Sequence, residues 1–334
     1  MSNFADRVAW IDVAKGVAMV AIVVGHLDIS YIDRLVYPWH VPLFFIVAGF
    51  FLSQKSTACE FICKKARALL LPFVLTAMAV VIALTIKAAF IDGHVLGVFL
   101  RTVASAIYGS GSDKGMTPFG IGKIGAVWFL EATFWAVLLV RFTNIGTVCC
   151  VALIAWFSVR YFWFPFNLQS GGVGALYVCI GQILYQKTNL LKRPNRLLFA
   201  VGAVSFLVFS IINPQFFLVK NICSLESVLA SVLIVYFLLV AIKFISEIRC
   251  VRIAGSVIGT NTLVILCLHS FQLKCFSWEP LWILTPCTKC NGFRLPIYIA
   301  FLVLCNLIYL SAGVIAFNRI KGCMIQKQLA KGLI

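Results

Sequence analysis

The chain has 334 residues, 62% of them hydrophobic and 12% charged, and a formal net charge of +17. Soluble domains are about a quarter charged, so this composition excludes a water-surrounded core and implies lipid as the solvent. The 28 Lys and Arg lie in short segments between apolar runs, which is a positive-inside pattern and not the mark of a nucleic-acid partner.

Apolar runs of about 20 residues, each long enough to cross a bilayer as a helix, predict spans near 8–27, 35–54, 69–91, 124–143, 145–163, 171–187, 195–213, 222–242, 254–275 and 295–318. The expectation is an all-α, polytopic integral membrane protein of about ten transmembrane helices, forming one domain over 1–334. With the N-terminus in the cytoplasm, 17 of the 28 basic residues fall on the inside and ten on the outside. Both termini are then cytoplasmic, and 319–334 forms a basic tail. Between the third and fourth spans, 92–123 reads as an outer loop, with an interfacial helix in HVLGVFLRTVASAIYG and a Gly-rich remainder.

Span one carries Asp12, Lys15 and His26. An ionisable group near the bilayer centre costs roughly 2.5–3.5 kcal/mol, so each calls for a partner or a purpose. Lys15 and His26 are separated by about 20° of helix rotation and roughly 16 Å of rise, which puts them on one face but out of contact. Asp12 and Lys15 have the spacing of an i, i+3 ion pair, which would lessen the burial cost of both. No acidic residue sits one turn before His26; either a neighbouring helix satisfies it in the core or it works chemically.

Span two opens with PWHVPLFFIVAGFFLS, where Pro38 and Pro42 frame His40 and fix the helix entry. The predicted topology places His26 and His40 at the same outer side. KKARALLLP follows, putting Lys64, Lys65 and Arg67 at the cytoplasmic face, where they either set topology against lipid phosphates or bind an anion. Glu131 lies in the outer part of span four, where it could orient an imidazole, contact an acceptor, or pair with Lys123; Glu226 is a weaker counterpart in span eight. Gly120, Gly122 and Gly125 spell GxGxxG without a preceding strand, so a dinucleotide site is not expected. RYFWFPF reads as an interfacial belt. Of the 13 cysteines most lie in apolar runs as packing residues, and Cys287 and Cys290 lack a second pair to complete a zinc site. No metal is expected.

DVAKGVAMVAIVVGH, WHVPLFFIVAGFFLS and KKARALLLPF together resemble the opening of the membrane acyltransferase-3 family of multi-span O-acyltransferases. The family's basic residue, ten residues and a histidine match Lys15 and His26, with Lys in place of the commoner Arg. Its pair of basic residues separated by two others before a proline matches Lys64 and Arg67 ahead of Pro72, with Lys in place of Arg at the first position. AVWFLEATFW resembles a later Trp-Phe-Leu span start, and GTNTLVILCLHSF a late span ending in histidine, here His269. His-Val-Pro-Leu-Phe-Phe also resembles the branch that acetylates sugars.

The resemblance implies acetyl-CoA, or another acyl-CoA, as cytoplasmic donor, and a cell-surface glycan or its lipid-linked precursor as acceptor, in the inner membrane. A sugar hydroxyl needs a base, and a neutral imidazole suits that task. His26 is the expected base, with His40 and Glu131 beside it; Lys15, Lys64, Lys65 and Arg67 are expected to hold the donor's phosphates. Direct attack on the thioester and relay through an acylated histidine both remain open. The rival from another class is a transporter or flippase.

Overall fold

A computed structural model describes residues 8–330, apart from 28, 54, 92, 110, 112–120, 160, 213–224, 279, 280 and 282–293. The Cys287–Cys290 pair and the side chain of Glu226 lie outside the described residues. All regular elements among the described residues are helical: α1 Ala9–Gly25, α2 Ser30–Val36, α3 His40–Phe50, α4 Ala58–Lys65, α5 Leu71–Ile91, α6 Val95–Tyr108, α7 Trp128–Phe142, α8 Ile145–Ser158, α9 Leu168–Gln182, α10 Arg196–Ile212, α11 Leu225–Ile245, α12 Arg249–Thr260, α13 Thr262–Cys275 and α14 Arg294–Ala330. Among the described residues, three continuous helices are long and apolar enough to cross a bilayer: Ala58–Ile91, Ser227–Ile245 and Pro296–Met324. Helices α12 and α13 make a fourth if the pair, bent by 64°, is one span.

Proline decides several of the departures from plain spans. The predicted second span, 35–54, is carried by α3, and the stretch before it holds the separate short helix α2, because Pro38 cannot continue α2 and Pro42 is tolerated only in the first turn of α3. Pro72 has no N–H to offer the carbonyl four residues back, and its ring would crowd that carbonyl. The chain responds with a π-helical turn at Ala66–Leu70, in which the Leu71 N–H reaches Ala66 O, so α4 and α5 form one 34-residue helix. The cationic KKAR segment is therefore part of a long apolar helix and not a separate loop. The last predicted span likewise runs on without a break into the basic tail, as one 37-residue helix.

Small residues set the closest approaches. Gly255 and Gly259, four apart on α12, lie against Val13 and the Asp12 carbonyl of α1, and Gly16 of α1 faces the Gly255 carbonyl. A side chain at any of the three would meet backbone, so the two helices touch main chain to main chain, as small-xxx-small pairs do in membranes. The other principal contacts are α3 with α9, α7 with α9, α8 with α9, α10 with α11, and α5 with both α6 and α13. Helix α14 packs on α13, with Gly313 against Leu268 and the Tyr309 hydroxyl donating to Leu268 O at 3.2 Å.

Candidate active site

Three of the chain's four histidines gather where α1, α3 and α13 meet. His26 caps the C-terminus of α1, and its Nδ1 lies 2.7 Å from the carbonyl oxygen of Ile22. A carbonyl only accepts, so Nδ1 carries the proton and Nε2 the lone pair. The ring of His269, on α13, stands edge-on to His26 with centroids 5.2 Å apart. His269 is 1% exposed, and neither of its ring nitrogens closes a hydrogen bond of good geometry; Gln272, three residues on, is the polar side chain that faces it.

His40 begins α3 with its Nδ1 2.6 Å from Val36 O, which fixes the same tautomer as in His26. Tyr37 joins the two turns: its ring meets His40 at 5.0 Å, and its hydroxyl donates to Gly25 O at 3.0 Å. The break between α2 and α3 thus brings the imidazole of His40 within electrostatic reach of His26.

Beneath the imidazoles lies a cavity of about 300 Å³, enclosed by α1, α3, the π turn, α7 and α13. Lys15 and Lys65 are its cations; Thr133 and Thr262 are polar, and the other walls are apolar, including Met19, Phe44, Phe51 and Phe129. Two further wall residues are Ile22, whose carbonyl holds His26, and Leu266, one turn before His269 on α13. The cavity therefore reaches from Lys15 and Lys65 to side chains on the turns that precede His26 and His269. Lys15 is held at 2.6 Å by Asp12, the ion pair its spacing allows.

A sequence model for a family described as an acyltransferase domain matches residues 8–316. The chain belongs to this acyltransferase-3 family. The same comparisons made with curated proteins and with solved structures gave no match. The match and the apolar helices make the protein a membrane acyltransferase, and every residue placed above at the cavity and the imidazoles falls inside the matched range.

Of the three KKAR cations in the acyltransferase, only Lys65 lines the cavity; Lys64 and Arg67 are exposed on the other faces of the same helix. Lys65 is held over Phe61 at 5.6 Å, and the Arg141 guanidinium stacks on the same ring at 5.7 Å while donating to Ser56 O at 3.0 Å. Arg141, which its position marks only as a topology charge, thus docks the cationic helix against α7.

Glu131, 4% exposed on α7, is bonded to Asn167 and not to Lys123 or an imidazole: Asn167 Nδ2 donates to it at 3.2 Å and also to the carbonyls of Gly109 and Trp128. Phe166 and Asn167 both have positive φ, a backbone state that non-glycine residues seldom adopt. Gly109, also left-handed, ends α6 so close to the Glu131 carboxylate that no side chain fits there. This knot ties the ends of α6, α7 and α9 together. Within the aromatic run, Trp163 is buried while Tyr161 and Phe162 are exposed, so the run is both core and belt. Asn167 and Gly109 carry no sequence signal beyond turn chemistry. His269 does carry one, since a histidine in an apolar run needs a reason to be there.

Proposed function

We propose that the protein is a transmembrane O-acyltransferase that moves an acetyl group from cytoplasmic acetyl-CoA to a hydroxyl of a cell-surface glycan or its lipid-linked precursor. In this reading it crosses the inner membrane ten times with both termini in the cytoplasm. The observation that carries the proposal is the cavity with cations at one end and histidines above the other. Lys15 and Lys65, with Lys64 and Arg67 outside the mouth, attract the donor's phosphates, and the apolar walls take its uncharged arm. Lys15 then exchanges Asp12 for phosphate, or shares itself between them.

His26 takes the hydroxyl proton at Nε2. The oxygen attacks the thioester carbonyl, the carbon–sulfur bond breaks, and the thiolate leaves with that proton, so His26 is restored. The Nδ1–Ile22 bond supports this assignment by holding the ring in the right tautomer, a contribution of the kind that general-base groups make at about 10²–10⁴-fold in rate. His40 sits close enough to shape the field at His26, and the Glu131 knot fixes the ends of the helices around the site.

The test is transfer itself. Purified protein in liposomes, given radiolabelled acetyl-CoA and a surface-glycan extract, should put label on the glycan. Glycan movement across the bilayer with the donor unconsumed would replace this reading with that of a transporter.

A further inference from the structure

On the face of α1 that adjoins the donor cavity lies a second space, a groove of about 380 Å³ bounded by α1, the α12–α13 bend and α14. It exists because α14 packs on α13 and stands away from α1. Its wall holds no cation, and it opens sideways past Val257, Leu307 and Ile315, each more than half exposed. The chemistry that fits such a space is a hydrocarbon chain entering from the bilayer.

Two observations separate it from an ordinary lipid-facing furrow. First, Val23 and Leu27 line it on the turns that carry His26, and Met19 is a wall of both this groove and the donor cavity. The groove therefore ends beside the turn that carries the base. Second, Asn306 lies in its wall at 3% exposure, with Nδ2 bonded to Leu302 O at 2.9 Å and Oδ1 left without a partner. A buried acceptor with nothing to accept from costs stability unless a ligand supplies an O–H or N–H. Helices α13 and α14 run antiparallel, with Asn318 near Asn261 and Tyr309 near Leu268, so Asn306 lies toward the end of the groove that holds the imidazoles.

We propose that the acceptor of this acyltransferase is lipid-linked: its hydrocarbon chain occupies the groove between α1 and α14, Asn306 Oδ1 accepts a hydrogen bond from its polar head, and its hydroxyl is thereby delivered to His26. The inference rests on the acyl-transfer reading above and names the substrate class of that site. Donor and acceptor then approach the same base along adjoining faces of α1, one by way of lysines and the other by way of lipid.

The experiment uses the full chain in proteoliposomes with acetyl-CoA and two acceptors, long-chain alkyl and methyl glycosides of the same sugars. In Leu307→Trp and Val303→Trp, the kcat/KM ratio for long-chain over methyl acceptor should fall by about ten-fold, the effect of keeping roughly two methylenes out of apolar surroundings. Leu75→Trp, on a lipid-facing stretch of α5, should leave the ratio unchanged. An unchanged ratio in both groove variants overturns the inference, whereas wild-type protein that acylates neither glycoside sinks the acyl-transfer reading itself. Should the tryptophan variants fail to fold, an alkyl glycoside with a terminal diazirine decides the matter in wild-type protein. Label concentrated in residues 19–27 and 303–315 supports the groove, and label spread evenly over the lipid-facing helices overturns it.

Discussion

The donor cavity and the lateral groove share the side chain of Met19 and lie on adjoining faces of α1, yet their walls differ in charge. The cavity has Lys15, Lys65 and two threonines in an otherwise apolar lining; the groove has a similar apolar lining and only amides and a hydroxyl for polarity. A charged, water-soluble donor needs the first arrangement, since its phosphates must be met by fixed cations at the membrane surface. A ligand already dissolved in the bilayer needs no charge to draw it in. On the proposed function, one helix would serve two substrates of opposite solubility, with its basic end to the donor, its apolar flank to lipid, and its terminal histidine at the place where the two routes meet.

The largest test of this contrast acts on what both routes share. His26→Ala should lower transfer by about 10²–10⁴-fold for every donor and acceptor, with expression and membrane insertion unchanged; transfer that persists would remove the meeting point. Next comes the frame that holds α1 in place. Gly259→Leu drives a side chain into the Asp12 carbonyl and should cost about 1–3 kcal/mol, the usual price of overpacking. A lowered Tm in detergent, with weaker use of both substrates, is the expected result, and a loss confined to one substrate would show that the walls are independent.

Substitutions at the mouth should then separate the two routes. Lys65→Ala is expected to raise the KM for acetyl-CoA by about ten-fold, the size of one charge-assisted contact, and to leave acceptor KM alone. Lys64→Ala and Arg67→Ala, both at exposed positions, should raise donor KM by only about two- to three-fold, and that effect should shrink as salt is added. Equal effects at all three positions would mean that the cavity lining does not select Lys65. Smallest of all, Leu307→Trp should leave the donor KM within about two-fold of wild type, because it fills the groove and not the cavity.

Much of the fold was legible in the chain itself. Each predicted span coincides with one or more helices, because apolar runs of this length have no other way to satisfy their backbone in lipid. Sequence also marked His26, Lys15 and the KKAR cations, since charges in or beside apolar runs are costly and so stand out. The Asp12–Lys15 pair followed from local spacing. Turn geometry was less visible: the break between α2 and α3 and the π turn are consequences of Pro38, Pro42 and Pro72, but their angles depend on what the helices meet.

What the sequence alone determined is the solvent of the protein, its helical elements, and which of its few polar residues were too expensive to be idle. Tertiary structure decided the partners: that His269 rather than Glu131 stands against His26, that Lys65 rather than Arg67 turns inward, and that Asn167 holds Glu131. The physical reason is one of range. Transfer energy and helix periodicity are properties of a few neighbouring residues, whereas the partner of a buried ring or carboxylate comes from a helix more than thirty, and in one case more than two hundred, positions away.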